Sequence, residues 1–123
     1  MKYLKSYKLF ESVGNDLPDI LLEINDESLW KAECWPESQT GKWVVVIQTV
    51  DEDEEYELEG QTPPPIVIES IERSIDFMNG EGFTNYQITF DNEDDNQYEE
   101  INLEGVSDLD VWPNNFIRIE FWK

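Results

Sequence analysis

Apolar residues at Ile68, Ile71, Ile75 and Met78 recur every three or four positions, the period of one helix face, and predict a helix over residues 66–79. Pro63-Pro64-Pro65 ahead of it is a stiff connector, and Gly80 or Gly82 supplies the stop signal. Glu69 and Arg73 stand four apart in the order that favours a helical ion pair. Elsewhere the period is two. Residues 83–91 alternate, with Tyr86, Ile88 and Phe90 on one face, and residues 98–103 pair back on them across the acidic turn 92–96. Residues 116–122 set Ile117, Ile119 and Phe121 against Phe116, Arg118, Glu120 and Trp122, a strand apolar enough to dock into a sheet.

The first half of the chain adds a hairpin. Residues 29–35 and 42–50 are rich in β-formers, and the segment 36–41 between them has turn composition. The run Trp43-Val44-Val45-Val46-Ile47 is apolar on both faces, which places that strand inside the sheet. Upstream, Asp16 is positioned to cap a short helix over 17–24, with Pro18 in its first turn and Leu17, Leu21 and Ile24 on one face. Residues 56–58 resume as a strand after the acidic run 51–55. The order α-β-β-α-β-β predicts one α+β domain spanning 1–123. Its antiparallel sheet has four to six strands, with one long helix and one short helix packed on one face.

Charge changes this picture most. Twenty-nine Asp and Glu oppose eight Lys and Arg, with no His, for a net charge of −21. Residues 43–117 hold twenty acids against Arg73 alone, a local −19. Such a surface stores repulsion that folding must overcome, and acidity of this degree often marks disorder. The aromatic content of 13% argues for a packed core instead. Each buried ring removes roughly 150–250 Å² from water. A single cysteine, Cys34, excludes an internal disulfide and favours a reducing cytoplasm. No apolar run reaches membrane-spanning length, and the opening residues lack the continuous apolar core of a signal peptide. An anionic membrane surface would repel the chain.

Little in the sequence is suited to catalysis. Without His there is no Ser-His or Cys-His pair. Cys34 lies in an apolar, acid-flanked strand whose surroundings raise a thiol pKa and make it inert. No Gly-rich phosphate loop is present. The expectation is a protein that is no enzyme and needs no cofactor.

The candidate site is the carboxylate runs: Asp51, Glu52, Asp53, Glu54, Glu55, Glu57 and Glu59, then Asp91, Glu93, Asp94, Asp95, Glu99 and Glu100. Three readings compete. The runs are solvated loops of a structural or adaptor protein, or a surface that imitates nucleic-acid phosphates, or a weak calcium site. Duplex DNA carries about one charge per 1.7 Å of axis, and −19 over this stretch exceeds what solubility requires. Calcium ligation fits poorly. An EF-hand register starting at Asp91 puts Asn96 where Gly is needed and Asn102 where the bidentate Glu belongs. Trp30, Trp35, Trp43, Trp112 and Trp122 would need a basic groove to stack on single-stranded nucleic acid, and the field has the wrong sign. Core packing accounts for most of them, and one or two exposed beside carboxylates suit a protein–protein hot spot.

The opening segment from Lys2 to Ser12 (KYLKSYKLFES), followed by Asp19-Ile20-Leu21-Leu22-Glu23, resembles the start of many short uncharacterised acidic proteins of bacteriophages. The resemblance implies a viral protein acting in the host cytoplasm. Small acidic phage proteins include DNA mimics that block host nucleic-acid-binding enzymes, and by that analogy the expected partner is the basic surface of such a host protein. Direct nucleic-acid or membrane binding is not expected.

Overall fold

The computed structural model describes residues 2–27, 30–49, 61–92, 97–112 and 115–123. Its elements in chain order are α1 (Lys2–Glu27), β1 (Trp30–Pro36), β2 (Trp43–Thr49), α2 (Pro65–Gly80), β3 (Asn85–Asn92), β4 (Gln97–Ile101), α3 (Leu103–Val106) and β5 (Asn115–Trp122). The five strands form one antiparallel sheet in the order β1-β2-β5-β3-β4. This is an α+β fold, as the alternation of periods predicts. The expected strand over 56–58 lies outside the described residues.

The first helix departs furthest from expectation. A short helix starting near Pro18 was expected, because a proline inside a helix removes a bond to the carbonyl four residues back and costs about 3 kcal/mol. In the structure α1 runs through Pro18 for 26 residues. Val13 before the proline and Leu17, Leu21 and Ile24 after it form one buried stripe. Fully burying each such side chain is worth roughly 1.5–3 kcal/mol. Four of them outweigh one proline.

The remaining boundaries follow local chemistry. Pro64 is extended (φ −69°, ψ 162°) and caps α2, whose first residue is Pro65. Gly82 takes φ +96° and turns the chain out of the helix, a conformation that favours glycine. Gly41, at φ +72°, closes the β1–β2 turn with its N–H donating to Glu37 O at 2.9 Å. The expected Glu69–Arg73 pair gives way to a contact between helices. Arg73 forks onto Glu23 of α1, Nη1 reaching Oε1 at 3.3 Å and Nη2 reaching Oε2. The four-residue α3, not foreseen, is capped by Asn102, whose Oδ1 accepts from Gly105 N–H at 2.7 Å.

Helices α1 and α2 pack on one another and cover one face of the sheet. On that face Trp43, Val45 and Ile47 of β2, Ile88 of β3 and Ile117, Ile119 and Phe121 of β5 meet Leu17, Leu21 and Ile24 of α1 and Val67, Ile71 and Met78 of α2. The terminal strand β5 lies at the centre, with β2 beside it. At the β1 edge, Asn25 of α1 presses its amide onto the strand backbone. Its Oδ1 accepts from Ala32 N–H at 3.0 Å, and its Nδ2 donates to Ala32 C=O at 3.2 Å. That occupies groups an edge strand would otherwise offer to another chain.

Candidate functional site

Two described surfaces carry the chain's unusual chemistry. The first is the outer side of the helical layer. On α1, Asp16, Asp19, Glu23 and Asp26 follow one another at intervals of three and four residues, opposite the buried stripe. On α2, Glu69, Glu72 and Asp76 do the same. Each stripe sets a carboxylate about every 5 Å of helix axis. The cation described among them is Arg73, already bonded to Glu23. The charge runs of the sequence draw attention away from these acids. Their three-and-four spacing was the signal, readable on the helix over 66–79 and hidden upstream by Pro18.

The second surface is the sheet face turned away from α1 and α2. Strand alternation places Trp35, Val44, Val46, Phe116, Arg118, Glu120, Trp122, Asp91, Tyr98 and Glu100 on it, with Glu33 and Lys31 on β1. Its charges on the β1–β2–β5 side are paired. Lys31 lies 3.0 Å from Glu33, Lys42 3.4 Å from Glu120, and Arg118 3.1 Å from Glu120 and 3.7 Å from Glu37. Lys42 also sits over the Trp122 ring at 5.0 Å. Val44 is completely buried on this face, outside the main core. Toward β3 and β4 the balance shifts. Among the described residues, no basic side chain pairs with Asp91 or Glu100.

Of the carboxylates expected to form the site, Asp51, Glu52, Asp53, Glu54, Glu55, Glu57, Glu59, Glu93, Asp94 and Asp95 lie outside the described residues. The other three are on the β3–β4 pair. Asp91 is half-buried, in register with Phe116 on one side and Tyr98 on the other. Glu100 pairs with Thr89 on the same open face, whereas Glu99 pairs with Phe90 and points to the helical side. Both glutamates are exposed. The fold therefore joins Asp91 to Glu100 and separates Glu99 from them.

The tryptophans divide as packing requires. Trp30 and Trp43 are core residues, while Trp35 and Trp112 keep 40% and 43% of their surface exposed. Cys34 packs against the rim of the core on the helical side, and burial pushes its thiol pKa up to about 11. No helix among the described residues is long and apolar enough to cross a membrane. Compared with models of known protein families, with curated proteins and with solved structures, the chain matches none.

Proposed function

We propose that this protein is an acidic interaction module whose partner is the basic, nucleic-acid-binding surface of another protein, with carboxylates standing in for phosphates. One observation carries the reading. Five cations have partners within the chain: Lys31, Lys42, Arg73 and Arg118 stand in ion pairs, and Lys123 lies over the Phe83 ring at 5.1 Å. Asp16, Asp19 and Asp26 of α1, Glu69, Glu72 and Asp76 of α2, and Glu99 and Glu100 of β4 are all exposed. A field of this sign steers a cationic partner in and makes association fast and sensitive to salt. The bacteriophage resemblance of the opening segment favours a bacterial host protein as that partner.

The test is retention of host proteins on the immobilised chain, eluted with a salt gradient. Nucleic-acid-binding proteins should be retained and should leave as salt rises. Replacing Asp16, Asp19, Glu69, Glu72, Asp76, Glu99 and Glu100 by their amides should shift elution to lower salt. Retention that ignores both the gradient and the amides would favour a structural or adaptor role, with the charge serving solubility alone.

A further inference from the structure

Resting on that reading, we infer that the partner is anchored through an arginine side chain, held on the open sheet face between Phe116, Asp91 and Tyr98. These three residues stand in one row across β5, β3 and β4. Directly paired residues keep their Cβ atoms about 4.5–5.5 Å apart, so the row is an aromatic, a carboxylate and a second aromatic within the span of one guanidinium and its stem.

Three observations favour this place over the longer carboxylate stripes. Among the described residues, Asp91 Oδ1 is buried without a hydrogen-bond partner, an unfavourable state that a donor from outside relieves. Tyr98 is 75% exposed, the most open large apolar side chain described, so its ring is free to move aside and close over an incoming group. The chain's own arginine on this face is committed elsewhere. Arg118 is two positions from Phe116 but bonds Glu120 and Glu37, toward β2 and β1. The row therefore offers an anionic, aromatic-walled position with its internal cation turned away.

The chemistry selects arginine over lysine. A guanidinium is planar, stacks on aromatic faces and delivers two parallel N–H groups to a carboxylate. Cation–π attraction acts within about 6 Å of a ring centroid, a reach the two flanking aromatics supply. Glu100, one row along the same face, adds negative potential. The helical stripes, with carboxylates and no rings, attract any cation equally. They steer, and the row holds.

The experiment is a titration of the ¹⁵N-labelled protein with a blocked tri-arginine peptide and its tri-lysine counterpart, at about 0.15 M salt, where exposed charges are screened beyond about 8 Å. The largest amide shifts are expected at Asp91, Tyr98 and Phe116, with tri-lysine several-fold weaker. Asp91→Asn should weaken tri-arginine binding about tenfold, the loss of one charge-assisted hydrogen bond. Tyr98→Ala, at a largely exposed position, should weaken it as well. Shifts centred on α1 and α2, equal affinity for the two peptides, or an Asp91→Asn protein that binds unchanged would each overturn the anchor while leaving the broader charge-based partnership standing. No binding of either peptide would overturn the anchor and count against that partnership too.

Discussion

On one side of β5, Ile117, Ile119 and Phe121 are sealed beneath two helices; on the other side of the same strand, Phe116, Arg118, Glu120 and Trp122 stay partly open. The sealed side is apolar, and the helices that seal it carry their acids outward. The open side mixes rings with charges of both signs, and three of the described basic residues, Lys31, Lys42 and Arg118, lie on it or at its rim. The contrast shows that a net charge of −21 is not a uniform skin. On the partly apolar face, Lys31, Lys42 and Arg118 neutralise the carboxylates beside them.

The sharpest way to break this contrast is to truncate both faces of the sheet. Ile119→Ala should cost about 2–5 kcal/mol, the usual range for a buried isoleucine. Val44→Ala, equally buried but on the open face, should cost about 1.5 kcal/mol, the transfer value of the two methyl groups removed. Denaturant unfolding of the two variants reads both numbers. Equal losses would mean that the open face holds a second core of its own.

Cys34 tests how well the sealed side excludes water at its rim. Its thiol, at about 11 against an ordinary 9.0, should alkylate near pH 8 about a hundredfold more slowly than in the unfolded chain. Mass spectrometry with and without denaturant follows the rate. The folded protein keeps this proton where the unfolded chain has lost it. The stability tied to it is therefore whole below about pH 9 and disappears as pH rises through about 11. Rates matching those of the unfolded chain would show that the rim is open. The smallest effect expected is at Arg73. Its bond to Glu23 is nearly half exposed on both sides, so Arg73→Ala should cost at most about 1 kcal/mol, and less in high salt. A larger loss would mark the helical layer as held together by charge rather than by its buried stripe.

Much of this architecture was legible because its signals are local. Ile68, Ile71, Ile75 and Met78 trace α2 directly, and Ile88 or Ile119 flanked by polar neighbours traces a strand. The full length of α1 was not, because Pro18 is a local veto overruled by distant burial of Val13 and Leu17. Nor was the central place of β5, since strand order depends on pairings between segments far apart in sequence. Of the carboxylates picked out from the sequence, the structure describes Asp91, Glu99 and Glu100. Carboxylate runs stand out in any reading, but the row of Phe116, Asp91 and Tyr98 joins three separate strands, and only register brings it together. The stripes of Asp16, Asp19, Glu23 and Asp26 needed the helix to be seen first.

The position of β5 also bears on how the protein is made. Its neighbours β2 and β3 both hydrogen-bond to it, yet it follows them in the chain. While the ribosome is still extending the polypeptide, the hairpin of β1 and β2 and that of β3 and β4 have no shared strand. Two unfinished edges, each lined with apolar side chains, must wait for the segment that joins them. Such edges are where nascent chains mispair. A net charge of −21 opposes the approach of one such chain to another.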